Sequence, residues 1–291
     1  MTRLPITKTP KVYVGGAFIR SESARVFPLA DAAGRFFANI PQCTRKDLRN
    51  AVEAAAKAVP GWAKRTSYNR GQILYRLGEM LEARAAEMAG ALTLGATSAR
   101  ARAAAQREVA ATVDRLIYYA GWADKYEQVL GNVNPVAAPY FNFTVTEPMG
   151  VVGLLAPAQP ALLGLVSLFA PAIVSGNTVV AVASETTPYP AILLGEMLAT
   201  SDLPGGVVNL LTGFRKELVP TFATHTHLRA IGGVASADER KTLRLGAAAS
   251  VKRTRLLKAE ERIDWYAPHA ESLEAIRETL EFKTTWHPIG A

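Results

Sequence analysis

The stretch from Pro148 to Ser184 contains no Asp, Glu, Lys, Arg or His. A run this long without charge belongs either in a bilayer or in a protein interior. Its punctuation decides between the two. Pro157, Pro160, Pro171, Gly176 and Asn177 cut it into pieces, none of which reads as one uninterrupted spanning helix. Between the breaks lie an apolar strand at Val151–Leu155, a helix at Ala161–Val174 and a second apolar strand at Thr178–Val182. Neither strand alternates polar with apolar, which is the pattern of strands covered on both faces in a parallel sheet. No membrane association is therefore expected.

The same alternation continues downstream. A helix is expected at Ala191–Ala199, a strand at Val207–Leu211, a helix near Arg215–Ala223, a strand at Leu228–Ile231 and a helix at Asp238–Ala248. Repeated strand and helix units imply a parallel sheet with right-handed crossovers. Such sheets take ligands beyond the carboxyl ends of their strands. Here those ends are Ala156-Pro157, Ala183-Ser184, Thr212-Gly213 and Gly232-Gly233. Neither GxGxxG nor GxxxxGK[ST] is present, so no phosphate-binding loop announces itself.

Upstream, Val12–Ile19 reads as a hairpin turned by Gly15 and Gly16. Thr44 caps a helix with Asp47 at its third position, and that helix is expected to stop near Pro60-Gly61. A second helix carries Ile73, Leu77, Leu81 and Met88, and a third carries Val109, Val113, Leu116 and Ile117. Tyr140–Thr146 alternates aromatic and β-branched residues with polar ones, as a half-buried strand does.

The 291 residues suit one large domain or two modest ones. The single cysteine excludes an intrachain disulfide framework and a multi-cysteine metal site, and suits the reducing cytoplasm. The opening MTRLPITKTPK has no apolar core of a secretory signal. A net charge of +8 concentrates locally, in Arg240, Lys241, Arg244, Lys252, Arg253, Arg255 and Lys258. With no aromatic platform or nucleic-acid motif beside them, they read as a solvated face, and no nucleic acid is expected as a partner. His225 and His227 have no third ligand nearby in sequence, and no metal site is expected.

Several stretches together resemble the aldehyde dehydrogenase superfamily. They are Val12–Phe18, Pro41–Trp62, Arg70–Arg84, Glu147–Pro157 (EPMGVVGLLAP), Ser175–Pro188 (SGNTVVAVASETTP) and Leu203–Gly213 (LPGGVVNLLTG). The resemblance spans Val12 to about Ala249. It implies an α/β fold: a Rossmann-like parallel sheet with N-terminal helices and a β-strand oligomerisation arm. It also implies relatives that oxidise aldehydes through a cysteine thioester.

The chemistry does not carry over position by position. Where the family has a motif like APWNFP, whose Asn donates to an oxyanion, this chain has Gln159. Where it has a motif like KPSE, whose Lys and Glu grip a ribose, Glu185 remains but Val182 replaces the Lys. The counterpart of FTGS keeps Gly233, lacks the Ser hydroxyl and puts Asp238 where a later Gly stands. An acid there suits the helix dipole and opposes a pyrophosphate. Leu257 falls at the general-base Glu of ELGGK. The only cysteine, Cys43, lies in the Pro41–Thr44 turn, with no activating neighbour in sequence, and reads as structural.

Ser272–His287 resembles the family's extreme C-terminus, so the catalytic domain is expected to be lost internally with both flanks kept. The expected organisation is 1–139 (hairpin and helices), 140–147 (oligomerisation strand), 148–258 (Rossmann-like domain) and 259–291 (helix and oligomerisation strand). No catalytic residue is expected. The remnant of a cofactor site falls on Ala156, Pro157, Ser184, Glu185, Gly213 and Gly233, with NAD(P) bound weakly or not at all. The expected role is a catalytically inactive subunit, assembling as a homo- or hetero-oligomer, with itself or with a full-length aldehyde dehydrogenase. The alternative is a subunit that still binds NAD(P) and relies on a partner for the cysteine. A basic module for an acidic partner is a third, distinct reading.

Overall fold

The computed structural model describes residues 8–290. The first residues of the opening segment, read above as free of a signal, lie outside them. The chain begins with the hairpin of β1 (Val12–Val14) and β2 (Ala17–Ile19), turned at Gly15 and Gly16 with φ of 62° and 86°. Adjacent glycines at positive φ match the twist of the flanking strands. A second hairpin, β3 (Val26–Ala30) and β4 (Phe36–Pro41), follows. Then come α1 (Arg45–Ala63), α2 (Ser67–Ala83), α3 (Ala85–Thr93), α4 (Ala99–Trp122), α5 (Tyr126–Leu130), β5 (Asn132–Asn134) and β6 (Tyr140–Pro148). The alternating half contains β7 (Val151–Leu155), α6 (Ala161–Val174), β8 (Thr178–Val182), α7 (Tyr189–Ala199) and β9 (Val208–Leu211). It continues through α8 (Arg215–Thr224), β10 (Leu228–Ala235), α9 (Ala237–Ala248) and β11 (Arg253–Lys258). The tail forms α10 (Leu273–Arg277) and β12 (Leu280–Pro288).

The main sheet runs β11-β10-β7-β8-β9-β1-β2. The strands from β11 to β9 are parallel, and β1 joins β9 antiparallel. Every residue of β7, β8 and β9 is buried. One core packs α2, α4, α6 and α7 on one face, and a second packs α1, α8 and α9 on the other. This is the Rossmann-like arrangement, with the strand order reversing direction between β7 and β10. A separate sheet, β12-β6-β5, forms the arm.

The uncharged helix α6 lies in the interior, where its terminal N–H and C=O groups have no water to meet. Its N-cap, Pro160, offers no side-chain bond. Glu108 of α4 supplies the acceptor: its Oε1 takes the N–H groups of Leu162 and Leu163 at 2.8 and 3.2 Å. At the other end, Trp62 of α1 donates to the Ile173 carbonyl at 2.8 Å, and Arg70 of α2 to the Val174 carbonyl at 2.9 Å. The N-terminal helices thus complete the hydrogen bonding of α6 while covering it.

Boundaries differ from the sequence reading for local reasons. Thr44 and Asp47 form the expected capping box, but α1 continues past Pro60 to Ala63, its last turn fixed by buried Trp62. The helix carrying Ile73 breaks at Arg84, so Met88 lies on α3. Arg84 there bonds Glu87 and Glu196, the latter on α7. Strand β10 extends beyond Ile231 to Ala235 because β11 pairs along its length, Val234 opposite Leu257 and Ala235 opposite Lys258.

The segment after β11 folds back over the sheet. Arg115 of α4 is buried and fastens it. Its Nη2 donates to the Trp265 carbonyl and its Nη1 to the Ala270 carbonyl, both at 2.9 Å. It also bonds the Ser167 hydroxyl, and its Nε meets Glu271 at 3.1 Å. Removing the guanidinium leaves buried carbonyls without a donor. Arg115→Ala is expected to lower the unfolding free energy by about 3 kcal/mol, read by urea denaturation.

Burial raises the Glu108 carboxyl above its ordinary range, against the opposing pull of the Leu162 and Leu163 N–H groups. Because the folded value is raised, this group's stability contribution is full at low pH. It declines as pH climbs from the ordinary carboxylate value through the raised one. Glu108→Gln keeps an oxygen acceptor and removes the titration. Its melting temperature relative to the natural protein is expected to rise between pH 4 and pH 8. A difference independent of pH would refute this.

Candidate functional site

The carboxyl ends of β7, β8 and β10 surround a cleft of about 440 Å³. Pro157, Glu185, Arg215, Ser236, Glu239 and Trp265 are among the residues lining it. It lies where the strand order reverses, the position at which an open α/β sheet accepts ligands.

Of the expected positions, Pro157 and Glu185 line this cleft. Ala156 contributes its carbonyl, which accepts a bond from the Arg215 Nη2. Ser184 is buried; its hydroxyl donates to the Ala158 carbonyl at 2.9 Å and accepts from the Thr187 N–H at 3.1 Å. It joins two loops and does not line the cleft. Gly213, at φ 139°, faces Cys43: a Cβ there would lie 3.0 Å from the Cys43 backbone N and O. Gly233, at φ 111°, allows β10 to approach β7, since a Cβ would lie 2.1 Å from the Leu155 carbonyl oxygen. Neither glycine lines the cleft.

Arg215 was not singled out from sequence. Its backbone N–H is held by Glu185 Oε1, and its guanidinium crosses the crevice to Ala156 and, at 2.8 Å, to the Val234 carbonyl. Glu239 lies 3.5 Å from it. One signal was available: Arg215 opens α8, where the helix dipole disfavours a cation. A residue placed against that preference is held by something tertiary, here two strand-end carbonyls.

The start of α9 is satisfied internally. Ser236 and Glu239 form a capping box, and Glu260 accepts the Ala237 N–H at 2.8 Å. Asp238 lies in the first turn of this helix, as expected from the sequence, and Glu239 and Glu260 join it there as acceptors of the Ser236 and Ala237 N–H groups. Gln159 turns its amide to the Thr187 hydroxyl at 2.7 Å. Val182 is buried in the core beneath the sheet. Leu257 on β11 packs against the cluster of Leu163, Val234 and Trp265.

Cys43 is fully buried, with its N–H donating to the Thr212 carbonyl at 2.9 Å. Burial, followed by the charge of Asp47, pushes its thiol up to about 12. It does not line the cleft.

The basic stretch is largely paired. Arg240 meets Glu260, Arg253 meets Glu281, Arg255 meets Glu278 and Lys258 meets Glu261. The Lys252 ammonium donates to the Ala223 carbonyl at 3.2 Å. No cluster of metal-ligating side chains occurs among the described residues. Among them, too, no helix is long and apolar enough to cross a membrane.

Comparison with known proteins follows the same outline. A sequence model described as "Aldehyde dehydrogenase family" matches residues 18–259. Retinal dehydrogenase 2 of Gallus gallus is 33% identical over 247 residues, 84% of this chain and 47% of the relative. An aldehyde dehydrogenase of Bacillus cereus, solved as an NAD+ complex, superposes with a TM-score of 0.80 at 26% identity, covering 86% of this chain and 51% of that one. An E. coli NADP-dependent enzyme, at 20% identity and a TM-score of 0.80 over 86% of this chain and 51% of its own, shares the fold. The chain spans about half the length of the curated relatives it matches.

The Bacillus cereus complex overturns the expectation of weak or absent NAD(P) binding. The same crevice-forming fold carries NAD+ in that protein. The expectation came from single side chains such as Val182, whereas the crevice is shaped by strand-end backbone that those substitutions leave in place.

In the folded protein at pH 8 the buried Cys43 thiol stays protonated. A thiol-specific chromogenic reagent is expected to leave native protein unmodified for hours and to titrate Cys43 within minutes in denaturant. Rapid modification of native protein would show an accessible thiolate.

Proposed function

The chain belongs to the aldehyde dehydrogenase family, and on that premise we propose that it is a dinucleotide-binding, assembly-forming subunit that does not itself oxidise aldehydes. The observation that carries the non-catalytic part is the burial of Cys43, the only cysteine in the sequence, away from the cleft. Thioester chemistry needs a thiolate that a substrate can reach. Leu257, packed in an apolar cluster, offers no general base at the matching position.

The residues at the cleft suit a nicotinamide dinucleotide. Glu185 presents a carboxylate of the kind that holds a ribose diol. Arg215 places a fixed cation at the switch point, where phosphates would otherwise meet a helix start already occupied by Glu239 and Glu260. When bound, the nicotinamide supplies a hydride acceptor. The chain's own contribution is to bind and orient it. Assembly is supported by the arm β12-β6-β5, which leaves Val133, Phe141, Val145 and Trp286 exposed. The partner would be a second copy or a complete aldehyde dehydrogenase.

A second reading, in which a partner supplies the catalytic cysteine, is favoured by the same open cleft. Calorimetric titration with NAD+ and NADP+ is expected to give saturable binding. Glu185→Gln should weaken it about tenfold, close to 1.4 kcal/mol. The purified chain should produce no NADH from a panel of aldehydes. NADH formation by the chain alone would sink the non-catalytic reading, and the absence of binding at millimolar cofactor would sink the dinucleotide reading.

A further inference from the structure

Strand β12 is the edge of the arm, and no described strand pairs with its outer side. Its hydrogen-bonding parity can be read from its ends. The register with β6 places Thr284 opposite Thr144 and Pro288 opposite Tyr140. One step beyond, the Ile289 N–H donates to the Pro139 carbonyl at 2.9 Å. In an antiparallel ladder such pairs alternate with pairs whose backbone groups face away. Glu281, Lys283, Thr285 and His287 therefore bond to β6, and Phe282, Thr284 and Trp286 turn their N–H and C=O groups to the free edge. Two contacts agree with this parity. The Leu280 carbonyl accepts from Arg253 Nη1 at 2.7 Å instead of from β6. The Thr284 and Thr144 hydroxyls lie 2.9 Å apart, as side chains do in the closer, non-hydrogen-bonded pairs.

The free edge is bounded at both ends. Leu280 has its carbonyl engaged by Arg253, and Pro288 has no N–H. What remains is Phe282, Thr284 and Trp286, evenly spaced about Thr284. Resting on the assembly reading above, we propose that β12 pairs antiparallel with β12 of a second copy of this chain, about a twofold axis through Thr284. In this register Thr284 faces Thr284 of the copy, and Phe282 faces Trp286. Every free donor and acceptor of the edge finds a partner, and Leu280 falls opposite Pro288, where neither end has a full set to offer. A shift of the axis to Lys283 sets that lysine against its own copy and strands Trp286 opposite Leu280. Like charges directly opposed are unfavourable.

The side chains support the same axis. Phe282 and Trp286 are 41% and 57% exposed, on the same face as Tyr140, whose ring meets Trp286 edge-on at 5.8 Å. Pairing about Thr284 brings Phe282 of each copy against Trp286 of the other, and aromatic cross-strand pairs stabilise sheets. An edge strand with apolar side chains and no central proline or bulge is a template for such pairing.

Sedimentation equilibrium of the full chain is expected to show a dimer. Thr284→Pro removes the central outward N–H and should raise the dissociation constant at least tenfold while leaving the melting temperature of the main domain unchanged. Thr284→Cys tests the register without disturbing the backbone. Hydrogen-bonded antiparallel pairs hold their Cβ atoms about 5.5 Å apart, wider than a direct disulfide takes, so a short bifunctional thiol reagent is used to span the gap. With that reagent Thr284→Cys should give a covalently linked dimer. Phe282→Cys and Trp286→Cys should each fail alone and cross-link when mixed. The buried Cys43 should not compete. A dimer that survives Thr284→Pro and is not trapped through Thr284→Cys overturns the pairing while leaving assembly intact. A natural protein that stays monomeric overturns both.

Discussion

Helix α6 is the element around which the rest of the molecule is arranged. It is uncharged and interior, and its N-cap residue offers no side-chain bond. Polar groups at its ends must be met by protein, because water does not reach them. Glu108, Trp62 and Arg70 meet them, and they come from three different helices of the N-terminal half. The apolar surface of α6 brings those helices in; the hydrogen bonds fix where each one stops. Loss of the Glu108 carboxylate would take from the Leu162 and Leu163 N–H groups the acceptor they share.

Arg115 extends the same logic to the tail. It reaches from α4 to the backbone of Trp265 and Ala270, and so determines where the chain runs after β11. Trp265 then forms part of the cleft wall, and the following α10 and β12 are brought to the arm. The neighbouring basic residues serve the same construction. Arg253 and Arg255 pair with Glu281 and Glu278 of the tail, so two of the basic residues that stand out in the sequence tie β11 to the segment that enters β12.

The cleft and the arm answer to different constraints. At the cleft, Gly233 lets β10 close on β7, and Arg215 bridges their carboxyl ends. The result is a crevice with a fixed cation beside the Glu185 carboxylate. At the arm, backbone groups of β12 remain without partners among the described residues, and an edge in that state is open to another strand. The first favours a small polar ligand, the second a chain of matching length.

Much of this was legible in the sequence. The buried strands Val151–Leu155 and Thr178–Val182 and the helix between them were set by continuous apolar runs cut by proline and glycine. Thr44 and Asp47 marked a helix start, and Gly15-Gly16 marked a turn, because each is a local conformational preference. Motif comparison, position by position, pointed to the family and to Glu185. The sequence could not show that Arg215 spans the crevice, that Arg253 and Arg255 are neutralised, or that Ser184 joins loops away from the cleft. Nor could it show which backbone groups of β12 face outward. Those features depend on which carbonyls and carboxylates come together from distant parts of the chain. Local propensity and periodicity determine the elements, whereas the partners of a long charged side chain or a strand edge are decided only when the elements pack.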